Sequence, residues 1–246
     1  MAKFSKIEWT DHTFSGWIGC TKVSEACDDC YAEEGDKRWH WTPQGWGPGK
    51  PRHRTSNENW KQPLKWDREA AASGIRARVF CASLSDVFDR EVDPAWRSDL
   101  WDLIRLCPHL DWQLLTKRPQ LIASYLPSDW DSGWPNVWLG TSVENQRRAD
   151  ERIPHLVAVP AVVHFLSVEP LLAPITFKSL ADIEWIIVGG ESGPTPRPMT
   201  PSWVLDIQAQ CKAASIPFFF KQWGGVNKKA AGRILSGRTF NDFPKP

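Results

Sequence analysis

Three cysteines stand in one short segment, Cys20, Cys27 and Cys30, spaced C-x6-C-x2-C. A thiolate is a soft ligand that suits iron or zinc. Three thiolates from one loop can hold three irons of a cubic 4Fe-4S cluster. The fourth iron then lacks a protein ligand and is open to a small molecule. That gap turns an electron carrier into a reaction centre. The competing chemistry is a closed zinc site, with His12 or His40 completing a Cys3His set. Structural zinc ligands usually come as two close pairs, and here there is one pair with outlying singles, which favours iron.

The other cysteines, Cys81, Cys107 and Cys211, sit among apolar neighbours and read as buried small hydrophobes. A chain of 246 residues with six cysteines, half of them in eleven residues, is not a disulfide framework. No export signal and no bilayer-length apolar stretch is present, so the expectation is a cytoplasmic protein with no membrane partner.

The net charge of +1 does not advertise a polyanion partner, yet two stretches are basic. Lys50 to Arg68 holds six Lys/Arg against Glu58 and Asp67, and Lys221 to the end holds six against Asp242. Such runs meet phosphates or form a solvated face. Sixteen tryptophans are present. Trp39, Trp41 and Trp46 lie in a Gly/Pro-rich stretch, where they either line a groove that stacks bases or pack under a long loop.

A reactive cluster needs a scaffold. From residue 78 onward short apolar runs alternate with helical periodicity. Strand-type runs occur at 78–84, 112–115, 137–139, 161–166, 185–188 and 217–220, with a weaker one at Thr13 to Ile18 leading into Cys20. Asp93-Pro94 opens a helix with Trp96, Leu100, Leu103, Ile104 and Cys107 inward. Leu121, Ile122, Tyr125 and Leu126 mark a second helix, and a charged helix starts near Asn145. Thr200-Pro201 opens one with Val204, Ile207, Cys211 and Ala214 inward. Such βα units predict an α/β fold, a parallel βα barrel of full or partial TIM type with six to seven strands. A single domain, 1–246, is expected. Residues 31–77 form an insertion after the first strand, partly helical and suited to act as a lid, and 226–246 form a basic tail.

Barrel chemistry collects at the C-terminal ends of the strands. Here those ends carry Ser83, Ser85 and Asp86; Thr116, Lys117 and Arg118; Thr141, Ser142, Glu144 and Asn145; Ser167 and Glu169; Gly189, Gly190, Glu191 and Ser192; and Lys221 and Gln222. In a barrel they face one bowl with the three cysteines, so the set reads as a site. In Gly189-Gly190-Glu191 the glycines let a ligand approach the backbone, and the carboxylate can bind an amine. A hydrolase or lyase using Asp86, Glu144 and Glu169 is a further alternative, but it leaves the cysteines unexplained.

The constellation resembles the radical S-adenosylmethionine (SAM) superfamily, whose members share a parallel βα barrel and a three-cysteine loop after the first strand. More narrowly, Trp9-Thr10-Asp11, the Gly19 to Ala32 segment, Leu115-Thr116-Lys117-Arg118-Pro119, Gly140-Thr141-Ser142-Val143-Glu144-Asn145, Ser167-Val168-Glu169-Pro170-Leu171, Val188-Gly189-Gly190-Glu191-Ser192-Gly193 and Phe220-Lys221-Gln222-Trp223-Gly224 resemble a phage-associated three-cysteine family of unassigned function. The chain departs from the superfamily's usual pattern. Its first cysteine gap is six instead of three, Asp29 precedes the third cysteine where an aromatic is usual, and Gly-Gly-Glu ends the sixth strand, not the second.

The resemblance implies a 4Fe-4S cluster on Cys20, Cys27 and Cys30, with SAM chelating the open iron. Reductive cleavage would yield a 5′-deoxyadenosyl radical, fed by an electron donor such as a flavodoxin or ferredoxin. Lys117 or Arg118 would meet the SAM carboxylate. Ser142, Glu144 or Glu169 would hold ribose hydroxyls or the amine, and Tyr31 would pack on the adenine or the cluster edge. Ser83, Asp86, Thr116, Thr141, Gly189, Gly190, Glu191, Lys221 and Gln222 complete the cofactor-binding set. Phage association, the basic runs and the tryptophans point to a nucleobase in DNA or RNA as substrate, with a protein or small metabolite also open.

Overall fold

The computed structural model describes residues 2–245. Seven parallel strands form its sheet: β1 (His12–Phe14), β2 (Ala77–Cys81), β3 (Leu110–Thr116), β4 (Val137–Ser142), β5 (Val163–Val168), β6 (Trp185–Gly189) and β7 (Phe218–Gln222). They lie side by side in chain order, each hydrogen-bonded to the next. A sheet wound in one direction has no topological switch point, which separates it from doubly wound folds and makes it barrel-like. β1 and β7 do not pair, so the barrel is partial. Both edges are covered instead. Ala2–Lys3 pairs antiparallel with β1, and the Phe240 carbonyl accepts from Phe220 N of β7 at 3.1 Å. Covered edges leave no open template for strand addition.

The longer helices are α1 (Tyr31–Trp39), α2 (Gln62–Ser73), α3 (Pro94–Arg105), α4 (Gln146–Val157) and α5 (Pro201–Ala213). Two start on side-chain caps: Asp93 accepts from Ala95 N at the head of α3, and Asn145 from Arg148 N at the head of α4. Successive strand residues serve two cores, as the period of two requires. Val79, Leu139, Leu166 and Val188 pack with Leu100, Ile104, Leu156 and Ile207 of the helices. The alternate residues Phe80, Trp138, Phe165, Trp185 and Phe219 form a second, aromatic core with Trp9.

That second core proves the curl. The Trp9 ring touches Phe80 of β2 at 4.7 Å and Trp185 of β6 at 6.2 Å. In a flat sheet those strands would stand about 19 Å apart. Phe243 closes the bottom of the bowl, 5.2 Å from Trp185 and 5.4 Å from Phe219, with the Arg78 guanidinium 3.9 Å above its ring. Asp11 holds Arg78 through Nε at 3.0 Å and the backbone N at 2.8 Å. Burial raises the Asp11 pKa, but the Arg78 hydrogen bonds outweigh it and leave it below the ordinary 3.8. A lowered carboxylate stabilises the fold above its unfolded pKa and loses that contribution as pH falls through the folded value. Asp11→Asn is therefore expected to flatten the loss of stability below pH 3.8, read by urea midpoints across that range. An unchanged acid limb would contradict this.

Several elements differ from the sequence expectation. The first strand stops at Phe14, and Trp17–Ile18 instead pairs antiparallel with His53–Arg54 of the insertion. Insertion groups capture the carbonyls at the break: Asn59 Nδ2 donates to Ser15 O at 3.0 Å and Thr55 N to Gly16 O at 2.9 Å. The helix expected after β3 is only a 3-10 turn and Ile122–Tyr125, because Pro127 forces Leu126 into extended backbone. Ala214 is exposed at the end of α5 instead of lining its inner face. Cys81, Cys107 and Cys211 are buried, as expected. Among the described residues no helix is long and apolar enough to cross a membrane.

Candidate functional site

The C-terminal ends of the strands open into a cavity of about 250 Å3. Cys20, Cys27 and Cys30 line it, together with Tyr31, Ser83, Asp86, Thr116, Lys117, Arg118, Ser142, Glu169, Gly190, Glu191, Lys221 and Gln222. Its floor is the top of the aromatic core, Trp9, Phe80 and Leu115. Residues from six strand ends thus meet one loop, as barrel geometry demands.

Gly19 sets the entry of that loop. Its φ of 111° lies where side-chain-bearing residues are strained, and an added Cβ would come 3.1 Å from Arg52 Cδ. The loop is then held by arginines from three directions. Arg118, after β3, donates to Thr21 O and to Cys20 Sγ at 3.5 Å. Arg148 of α4 holds Glu25 at 2.9 Å, and Asn145 bonds the same carboxylate. Arg197, after β6, reaches Glu25 O at 2.9 Å while gripping Glu191 through Nε at 2.8 Å.

Arg52 of the insertion is a fourth anchor and is wholly enclosed. It donates to Asp89 and Glu91 at 2.6 Å, to Thr21 Oγ1 at 2.6 Å and to the Gly47 and Lys50 carbonyls at 3.0 Å. The insertion is therefore fastened to the cysteine loop at this point. Arg52→Lys keeps the charge but cannot serve five acceptors at once. It is expected to cost about 2 kcal/mol, read from denaturant midpoints. A loss below the measurement error would contradict the anchoring role.

Among the described residues, most charged side chains of the cavity are paired. Asp86 accepts from Thr116 Oγ1 at 2.8 Å and from Arg118 at 2.9 Å. Glu169 takes both bonds of Lys221, at 2.6 and 2.8 Å, and Gln222 bridges Glu169 to Ser192. Burial raises the Glu191 pKa, but the bidentate Arg197 outweighs it and lowers it. Lys117 differs. Among the described residues its ammonium makes no hydrogen bond or ion pair, yet it lines the cavity. Burial disfavours its charge, and the nearby Cys27, Cys30 and Glu144 outweigh that and raise its pKa. Burial, reinforced by Asp86, pushes the Cys20 thiol up to about 12, so a metal must displace its proton. Tyr31 is 56% exposed along its length, while its hydroxyl reaches in and donates to Ser83 O.

Three expected cofactor residues do not line the cavity. Thr141 donates to Thr116 O at 2.9 Å. Glu144 is fully enclosed and held by Arg152 at 2.7 Å. At Gly189 an added Cβ would meet the Glu169 carboxylate at 3.2 Å. Gly190 does line the cavity, but its missing side chain makes room for protein, since a Cβ there would fall 2.1 Å from Trp223 O. Ligand approach is thus not the reason for either glycine. Trp46 faces the cavity, whereas Trp39 lies exposed outside it.

Three thiolates from one loop line the cavity, a soft donor set whose chemistry suits an iron–sulfur cluster. Among the described residues no group of three or more His, Cys, Asp or Glu is placed to hold a metal ion. A cubane places each thiolate on its own iron, so its ligands need not converge on a point. Neither imidazole considered for zinc lines the cavity. His12 stacks on Trp66 at 4.4 Å and accepts from Phe4 N at 3.2 Å, and His40 is exposed at the end of α1.

Residues 4–244 match a family described as a protein of unknown function (DUF5131). The chain belongs to that family. The match spans all seven parallel strands and every cavity-lining residue. Searches of curated proteins and of solved structures give no match. Family membership thus joins a partial βα barrel, an architecture common among enzymes, to this cavity without assigning it a reaction.

The sequence reading missed Arg52, Arg148, Arg197 and Glu25, which position the cysteine loop. Their partners lie far off in sequence, and no local pattern marks them. The basic run at 50–68 was misleading for the same reason. Arg52 is buried, Arg54 pairs with Asp99 at 2.7 Å and Lys61 with Glu58 at 2.9 Å. In the tail, Arg233 bonds Phe220 O, and Arg238 lies over the Phe240 ring.

Proposed function

We propose that this protein is a radical SAM iron–sulfur enzyme. The observation that carries the reading is the meeting of three cysteines from one loop with strand-end polar groups in a single cavity at the mouth of a parallel partial barrel. Cys20, Cys27 and Cys30 would hold the cluster, leaving one iron for SAM. Such a pair, when bound, supplies one-electron reductive cleavage of a sulfonium and radical hydrogen abstraction from a substrate.

The chain's own residues then have defined tasks. Lys117 presents the free ammonium and is suited to a carboxylate. Arg118 already bonds Asp86, Thr21 and Cys20, which favours Lys117 of the two as the carboxylate partner. Ser142 and the Glu169–Lys221–Gln222 set offer hydroxyl, carboxylate and amide groups on the far wall for ribose or substrate. The aromatic floor excludes water from the bottom of the cavity, where a carbon radical would otherwise be quenched by side reactions.

A nucleobase substrate would meet the exposed remainder of the basic runs, Lys50, Lys65 and Arg68. The test of the class is direct. Protein reconstituted anaerobically with iron and sulfide, then reduced with SAM present, is expected to form 5′-deoxyadenosine. Absence of that product from protein with a full cluster would refute the assignment.

A further inference from the structure

Arg118 is the residue whose role the cofactor scheme leaves over. Its side chain is 7% exposed, so it is fixed in the wall and not free to follow a ligand. Its Nη1 donates to Asp86 Oδ2 at 2.9 Å and lies 3.5 Å from Cys20 Sγ, while Nη2 donates to Thr21 O. Asp86 is itself fixed by the Thr116 hydroxyl, whose Oγ1 lies 2.8 and 2.9 Å from its two carboxylate oxygens. Asp89, held by Arg52, stands 3.9 Å from the guanidinium on the other side. One planar cation is thus locked between two carboxylates and aimed at one of three sulfurs.

We propose that Arg118 is a positioning residue for the metal centre, its guanidinium orienting the Cys20 sulfur and supplying the local positive charge that eases reduction. This rests on the cluster reading above. Thiolate ligands make the centre anionic, and reduction adds one more negative charge. A cation fixed beside a ligand sulfur stabilises the reduced form more than the oxidised one. Hydrogen bonds to cluster sulfurs act in the same direction. Arg is suited to this task over Lys because its fork reaches sulfur, carboxylate and carbonyl together. Asp86 and Thr116, read from sequence as cofactor ligands, become the supports of that fork.

The test uses the reconstituted protein and two variants, with the midpoint potential followed by electron paramagnetic resonance and iron release to a chelator timed. In R118Q the charge and the fork are lost. The midpoint is expected to move to more negative potential, and iron release to quicken about tenfold. In R118K the charge stays and the fork is lost, so release quickens while the midpoint falls less than in R118Q. Parent-like potential and release in R118Q would overturn the proposal. If R118Q does not fold, R118K decides alone, and parent-like iron release in it would overturn the proposal. A parent protein that takes up no cluster would instead remove the cluster reading itself, a distinct outcome.

Discussion

If Cys20, Cys27 and Cys30 hold a cluster as proposed, Cys27→Ala is expected to abolish cluster loading, and Cys20→Ala and Cys30→Ala to do the same. Each thiolate of a three-cysteine site holds its own iron, so the loss of one removes a corner that no other group replaces. The fold should survive, because Cys27 sits in a loop whose anchors are Thr21, Glu25 and the backbone rather than its sulfur. Iron and sulfide analysis after anaerobic reconstitution measures loading, with thermal unfolding as the control for folding. Cys107→Ala provides the contrast, since that thiol lies in the helix-facing core and its loss should leave iron binding intact. A full complement of iron in Cys27→Ala would refute the ligand assignment.

Trp185→Ala is expected to be among the most damaging substitutions for stability. Its ring meets Trp9, Trp138, Phe165, Phe219 and Phe243, with centroids between 5.2 and 6.2 Å. Deleting it empties the centre of the aromatic core and should cost about 3–5 kcal/mol. The same residue tests the curl of the sheet. Trp9 reaches both β2 and β6, so Trp9→Ala and Trp185→Ala should be non-additive, with a coupling of about 0.5–3 kcal/mol in a double-mutant cycle. Additive losses would mean that the two rings do not meet and that the sheet is open and flat. The cavity floor would then be missing, and the site with it.

The scaffold was legible because its signals are local. Asp93-Pro94 and Asn145 are capping signals, and each opens a helix. The apolar runs are strands buried on both faces, as a sheet between two cores requires. The cysteines and most strand-end polar residues share one cavity because a barrel brings all those ends together. What the sequence hid is long-range. Glu191 reads as a carboxylate for a ligand amine, yet Arg197, which no local pattern marks, pairs with it and ties the loop after β6 to the cysteine segment. Glu144 looks like a site acid until Arg152 encloses it. Gly189-Gly190 resembles a ligand cradle, yet Glu169 and the Trp223 carbonyl fill the space. Pairing partners and close backbone approaches are set by topology, and a single sequence carries no local mark of either.

The proposed cluster leaves one iron without a protein ligand. The most direct measurement is the electron paramagnetic resonance spectrum of the reduced, reconstituted protein, recorded with and without SAM. About four irons and four sulfides per chain, with a signal that changes shape when SAM is added, is the predicted result. Colourless protein carrying one zinc, or a cluster whose signal ignores SAM, would contradict it.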